Sequence, residues 1–283
     1  MVVFPNSKIN LGLRVVEKRS DGYHNIETVF YPLPLKDALE FIPCGNATTA
    51  NELKLFATGK AIPGNTQNNL CFSAWNLLKQ NYPALPAVHI HLHKAIPAGG
   101  GLGGGSSNGA FTLKALNELF DLNISQDDLR AFALHLGSDC PFFLLNKPCL
   151  ATSRGEIMSE LELKLDDYFV VLILPGIHVN TGWAFNQIAE QVNKQKPLKT
   201  LEEIITLPVS EWRNYLANDF EAPVFSLYPE LKKTKTSLYE AGAAYAGMTG
   251  TGSTIYGIFS RNTILSLPSF EPGWQVINLK QLN

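Results

Sequence analysis

The segment Pro97-Ala98-Gly99-Gly100-Gly101-Leu102-Gly103-Gly104-Gly105-Ser106-Ser107-Asn108-Gly109 carries the strongest chemical signal in the chain. Seven of its thirteen residues are glycine, each costing roughly 0.5–1 kcal/mol relative to alanine in regular structure. In return, backbone N–H groups can converge on a ligand with no Cβ in the way. A helix expected from about Gly105 to Phe120 would point its unpaired N–H groups and dipole at the same place. Loop and helix start together read as an anion site for phosphates. Ser106 and Ser107 add hydroxyls for phosphate or magnesium, with Ser107 the candidate metal ligand. The G-x-x-x-x-G-K-[ST] phosphate loop is not this one, because Ser106 stands where lysine is required. The dinucleotide spacing Gly99-x-Gly101-x-x-Gly104 is present. Any glycine run produces it, however, and Pro97 separates it from a strand that alternates rather than being apolar throughout.

A second turn, Gly247-Met248-Thr249-Gly250-Thr251-Gly252-Ser253-Thr254, is rich in glycine and hydroxyls and leads into an expected strand. Beside the first loop it reads as another wall of the same site. Asp139 lies in Gly137-Ser138-Asp139-Cys140-Pro141, where, read alone, it is an ordinary turn residue. Lys8 and Asn10 sit two apart in an alternating stretch and point the same way. Read alone, Lys8 is a solvated edge charge. His89, His91 and His93 share one face of a strand, but three rings spaced roughly 6–7 Å apart do not converge on one zinc ion. They read as a solvated face.

The elements that must position these residues follow from periodicity. Lys8–Val15 and Val88–His93 alternate as strands, and Ile26–Leu33, Ala38–Ile42 and Glu52–Phe56 are further candidates. Asn65–Gln80 reads as a helix with Leu70, Ala74, Leu77 and Leu78 as its buried stripe. Ser125 and Asp128 form a capping-box pattern ahead of a helix that places Leu129, Phe132, Ala133 and Leu136 on one side and stops at Gly137. Pro141 is expected to block further helix, leaving Phe142–Leu145 as a buried strand. The pattern restarts near Gly155. Tyr168–Leu174, Ser253–Phe259 and Trp274–Leu279 read as strands, Thr181–Val192, Leu201–Leu216 and Pro229–Gly242 as helical. Strand runs precede helix runs without sustained βαβαβ alternation, which predicts an α+β fold over a doubly wound sheet.

The 283 residues exceed what one core usually supports, so two domains are expected. Hydrophobic residues at 45% and charged residues at 17% exclude a disordered chain. A net charge of −2 argues against a generally basic nucleic-acid binder. Apolar runs such as Tyr168–Leu174 are too short to cross a bilayer, and no secretory signal follows Met1. Cys44, Cys71, Cys140 and Cys149 lack metal-ligand spacing and read as reduced thiols of a cytoplasmic protein. Neither a nucleic-acid nor a membrane partner is expected, and the oligomeric state is left open.

The whole pattern resembles the GHMP kinases, the small-molecule kinases that include galactokinase, homoserine kinase and mevalonate kinase. Three motifs carry the likeness: Pro5-Asn6-Ser7-Lys8-Ile9-Asn10-Leu11-Gly12-Leu13, the Pro97–Asn108 loop and the Gly247–Ser253 turn. Lys18-Arg19-Ser20-Asp21-Gly22-Tyr23-His24, Gly137-Ser138-Asp139-Cys140-Pro141-Phe142-Phe143 and Asn218-Asp219-Phe220-Glu221 are similar to the branch acting on a cytidylyl-methylerythritol alcohol. The resemblance implies an α+β, two-domain architecture with the active site in the interdomain cleft, the N-terminal domain at 1–156 and the C-terminal one at 157–283. It also implies transfer of the γ-phosphate of ATP, with Mg2+, to the 2-hydroxyl of 4-diphosphocytidyl-2-C-methyl-D-erythritol on the non-mevalonate route to isoprenoids. By that likeness Pro97 to Ser107 hold ATP and Asp139 takes the hydroxyl proton. Lys8 pairs with Asp139 and offsets developing charge. Asn10, Tyr23, His24, Phe30, Thr181, Phe185 and Gly250 form the substrate set, with Tyr23 and His24 against the cytosine ring, His24 reading its edge, Phe185 as a second stacking residue and Phe30 closing the pocket. Read alone, Phe30 and Phe185 are equally ordinary core packing. The alternatives are a GHMP kinase for another alcohol such as homoserine or mevalonate, a dinucleotide oxidoreductase and a non-catalytic nucleotide module.

Overall fold

The structure, a computed structural model, describes residues 1–44, 53–62, 64–188 and 198–280. In chain order the elements are β1 (Val2–Val3), β2 (Asn6–Lys18), β3 (His24–Lys36), β4 (Ala38–Pro43), β5 (Leu53–Gly59), α1 (Leu70–Asn81), β6 (Val88–Lys94), α2 (Gly104–Leu119), α3 (Gln126–Leu136) and α4 (Cys140–Leu145). There follow β7 (Cys149–Thr152), β8 (Ile157–Glu160), β9 (Tyr168–Leu174), α5 (Thr181–Ile188), α6 (Leu201–Ile205), α7 (Glu221–Leu227), α8 (Pro229–Glu240), β10 (Tyr245–Met248), β11 (Ile255–Ser260) and β12 (Gln275–Leu279). The sheets are β1-β4-β6-β5, β2-β3-β7-β8 and β10-β11-β9-β12, predominantly antiparallel, with β5 parallel to β6. The α+β expectation holds.

The chain forms two compact units. The first is Met1–Ser7, Leu35–Ala98 and Gly103–Asn146; the second is Lys8–Pro34, Gly99–Leu102 and Lys147–Asn283. They interleave in sequence, whereas the 1–156/157–283 division is a single cut. The two differ most over Lys8–Pro34.

In the first unit, Val88, Ile90 and Leu92 of β6 are fully buried, as their alternation predicts. α1 packs on β5 and α2 on β4, and each large aliphatic side chain so buried contributes about 1.5–3 kcal/mol. The buried stripe of α1 is Cys71, Ala74, Trp75 and Leu78, one residue on from the expected Leu70 and Leu77. Cysteine is among the most buried residue types and tryptophan is highly buried on average, so the stripe follows them. Ser125 caps α3 by accepting the Asp128 N–H at 3.1 Å. Asp128 returns its carboxylate to the Ser125 hydroxyl rather than to backbone, which makes half a capping box. The complete box is Thr200 with Glu203, ahead of α6. Phe142–Leu145 is not a strand. It belongs to α4, where Pro141 stands in the first turn, the one place a helix needs no N–H from it. On the outer face of β6, His91 Nε2 and His93 Nδ1 each lie 3.0 Å from Thr58 Oγ1.

The second unit has its own core, in which Leu13, Val171, Ile173, Phe220, Met248, Ile255 and Phe259 are buried. Of the expected elements, Glu52 and residues 189–192 lie outside the described residues. Among the described residues no helix is long and apolar enough to cross a membrane.

Candidate functional site

Strand β2 positions Lys8 and Asn10, and their shared direction is now visible as a contact. The Lys8 ammonium donates to Asn10 Oδ1 at 2.6 Å. Both residues are buried, so Lys8 is not a solvated edge charge. Its ammonium lies 4.8 Å above the centroid of Phe30. Phe30, expected to close the substrate pocket or to pack in the core, is 1% exposed and lies beneath the lysine.

The second unit also brings part of the glycine loop and the second turn to this strand. Lys8 N–H donates to the Leu102 carbonyl at 3.0 Å. Gly101 has φ +78°, and a Cβ there would stand 2.2 Å from the Thr249 carbonyl oxygen. Loop and turn therefore meet backbone to backbone, and only glycine fits. Gly250 completes the approach, its Cβ position 3.2 Å from Gly101 Cα and 3.7 Å from Asn10 Oδ1. Gly100 abuts Thr254 Oγ1, a buried hydroxyl with no hydrogen-bond partner among the described residues. Asn218, in a string the sequence had singled out without a role, holds the turn by donating to the carbonyls of Met248 and Gly250, both at 2.8 Å.

A separate cluster in the same unit is aromatic. His24 stacks on Phe185 with ring centroids 4.7 Å apart and planes 19° apart, and Phe185 meets Phe220 edge-on at 4.9 Å. Burial, reinforced by the Lys18 charge, lowers the His24 pKa and keeps the ring neutral. Its Nε2 is buried without a partner among the described residues, the condition of an atom left for a ligand. Tyr23 is 55% exposed and carries the Arg154 guanidinium 4.9 Å from its centroid. Thr181 opens α5 with its hydroxyl 3.4 Å from that of Thr251.

In the first unit the remainder of the loop enters α2. Gly103 is the N-cap, in the left-handed region with no side-chain cap, so the N–H groups of Gly104, Gly105 and Ser106 have no acceptor within the helix. Ser107 Oγ is buried and lacks a partner among the described residues. Just behind this turn lies a charged cluster that sequence reading missed. Asp37 is ion-paired with Lys94, accepts the N–H groups of Ala95 and Ile96 at 2.8 Å each, and accepts Asn108 Nδ2 at 2.9 Å. A Cβ on Gly104 would be 3.2 Å from Lys94 Nζ. Asp139 is the N-cap of α4, and its side chain makes no capping hydrogen bond. This unit also holds a pocket of about 220 Å3 lined by Leu55, Ala57, Thr58, Lys60, Asn65 and Asn69. Its walls all come from the single stretch Leu55–Asn69, though nothing in the sequence pattern announced it.

Comparison with known proteins adds the following. The family model described as GHMP kinases N terminal domain matches residues 69–147, and that described as GHMP kinases C terminal matches 198–266. A 4-diphosphocytidyl-2-C-methyl-D-erythritol kinase of Bacteroides fragilis is 47% identical over 275 residues, 96% of each chain. One from Bacteroides thetaiotaomicron is 45% identical over 280 residues, 99% of each. A crystal structure of a 4-(cytidine 5'-diphospho)-2C-methyl-D-erythritol kinase superposes with TM-score 0.74 at 32% identity, covering 91% of this chain and 90% of the other. The mevalonate kinase of Methanococcus jannaschii reaches TM-score 0.71 at 13% identity, covering 100% and 98%, a likeness of fold alone.

Proposed function

The chain belongs to the GHMP kinases, in the family of the 4-diphosphocytidyl-2-C-methyl-D-erythritol kinases, and from that premise we propose how its own residues carry out the reaction. The reaction moves the γ-phosphate of ATP to the 2-hydroxyl of 4-diphosphocytidyl-2-C-methyl-D-erythritol. Such a transfer needs positioning and charge neutralisation more than covalent chemistry by the protein. Asp139 accepts the hydroxyl proton, and Lys8 offsets the charge that develops on the moving group. Asn10 holds the lysine and hydrogen-bonds the substrate. The unpaired N–H groups opening α2, with the glycine residues before them, bind the ATP phosphates, and the 220 Å3 pocket takes the nucleobase.

The residues present also fit a magnesium ion. Ser107 Oγ is a buried orphan, while no group of three or more His, Cys, Asp or Glu among the described residues could hold a metal. That donor set suits an ion bound mainly by phosphate oxygens and water, with Ser107 as a protein ligand. When bound, the ion would neutralise phosphate charge. At the other end, Tyr23 and Phe185 stack on cytosine and the free Nε2 of His24 reads its edge. Thr181 and Gly250 complete the substrate set. We place the N-terminal domain at 1–156 and the C-terminal domain at 157–283, consistent with family matches that end at 147 and resume at 198. The four cysteines are free, as suits the cytoplasm.

The observation that carries this reading is the junction at Asn10, where the lysine-bearing strand meets the glycine loop and the Gly247–Thr254 turn. A substrate panel tests it: the cytidylyl alcohol, the same alcohol without the cytidylyl group, homoserine and mevalonate, each with ATP and Mg2+. Turnover on the first alone is expected. Preference for homoserine or mevalonate would overturn the acceptor, and binding of NAD in place of ATP would overturn the class.

A further inference from the structure

Thr249 is fully buried, and its hydroxyl oxygen stands where three chain segments cross. It lies 3.0 Å from the Asn10 backbone nitrogen, 3.2 Å from Asn10 Oδ1 and 3.0 Å from the Gly101 carbonyl oxygen. The Asn10 N–H donates to it. One hydroxyl proton then faces two acceptors, Gly101 of the phosphate loop and the Asn10 side chain, and a hydroxyl has only one proton to give.

The surrounding bonds decide between them. Thr28 Oγ1 gives its proton to the Gly12 carbonyl at 2.5 Å, so it must accept from Asn10 Nδ2 at 2.9 Å. That fixes which end of the Asn10 amide is nitrogen, and it turns Oδ1 toward the Lys8 ammonium at 2.6 Å. Asn10 Oδ1 therefore already has a charged donor, whereas the Gly101 carbonyl at the same point is served by Thr249 at the shorter distance. Burial raises the Tyr256 pKa well above its usual value, so its hydroxyl stays protonated and donates to the Asn10 carbonyl at 2.9 Å. Backbone and side chain of Asn10 are both held.

We propose that Thr249 is a positioning residue for phosphoryl transfer: its single hydroxyl accepts from the strand that carries Lys8 and donates to the loop that binds phosphate, so that the two are held in one register. This rests on the kinase reading above. A valine at 249 keeps the shape but leaves the buried Asn10 N–H and the part-buried Gly101 carbonyl without partners, whereas serine restores both bonds. A role confined to folding would lower the fraction of active protein without changing the Michaelis constant for ATP of the molecules that fold.

The experiment is steady-state kinetics of Thr249→Val and Thr249→Ser, with hydrogen exchange of the peptide containing Asn10, with and without a non-hydrolysable ATP analogue. In Thr249→Val, KM for ATP is expected to rise and kcat to fall, together by roughly 5–150-fold for one such unpaired group. Thr249→Ser should stay within about threefold of wild type, since it keeps the hydroxyl. Nucleotide should protect the Asn10 amide in wild type and serine proteins but not in the valine protein. Should Thr249→Val not fold, Thr249→Cys keeps the size with a far weaker donor and carries the same expectation. Wild-type KM and kcat in the valine or cysteine protein would overturn the proposal, and so would a serine protein as impaired as either. Absence of kinase activity in the wild type would instead overturn the functional reading.

Discussion

Replacing Lys94 by methionine should destabilise the protein by about 3–5 kcal/mol, the cost of leaving one member of a buried ion pair behind. The Lys94 side chain is 4% exposed and that of Asp37 is 0%. Methionine fills most of the lysine stem, so little of the loss is a cavity term. The Asp37 carboxylate would keep three N–H donors, from Ala95, Ile96 and Asn108. Hydrogen bonds to a charged group contribute about 1.5–3 kcal/mol each, which places the loss at the lower end, near about 3 kcal/mol. Asn108 Oδ1 also loses its donor at 3.1 Å. The assay is urea unfolding followed by circular dichroism and tryptophan fluorescence, with separate transitions fitted separately because the chain has two compact units. Adding Asp37→Asn should recover about 1 kcal/mol or more relative to additivity, since Asn108 can turn end for end and accept from the new amide. A loss under about 1 kcal/mol, or strict additivity in the double variant, would refute the reasoning.

Three further outcomes are expected. Asp139→Asn should lose about 100-fold to 10,000-fold in turnover while calorimetry still finds ATP bound; near-wild-type turnover would remove Asp139 as the base. Tyr23→Ala should raise KM for the cytidylyl substrate roughly 5–150-fold, the equivalent of one stacked base, and an unchanged KM would end the stacking assignment. His24 has a pKa below the ordinary 6.5 because it is buried. It should therefore stay neutral through that pH, and KM for the cytidylyl substrate should begin to rise only below it. The unfolded chain takes up its proton first as pH falls, so stability should decline from near pH 6.5 down through the folded value. A KM that climbs at the ordinary imidazole pKa would contradict this.

Much of the site was legible because its chemistry is local. Lys8 and Asn10 share a face by strand alternation alone, and the glycine run ends in a helix whose first turn it opens. The miss at Phe142–Leu145 came from treating Pro141 as a breaker, when a first-turn proline satisfies the helix it begins. Asp37 and Lys94 were invisible for a different reason: they are 57 residues apart, and no periodicity links a strand terminus to a turn of that separation. Thr249 was read as one hydroxyl among several, and only the fold shows that it touches Asn10 across 239 residues. Phe30 could be read equally as closing the substrate pocket or as core, and alternation could not rank the two, because its burial beneath Lys8 depends on packing between strands.

The most direct measurement is phosphorus NMR of the products after the protein is incubated with Mg-ATP and 4-diphosphocytidyl-2-C-methyl-D-erythritol. The account predicts a new phosphomonoester on the 2-hydroxyl, formed with one ADP per turnover and nearly absent with Asp139→Asn. ATP consumed without that phosphate, or phosphate on another hydroxyl, would contradict it.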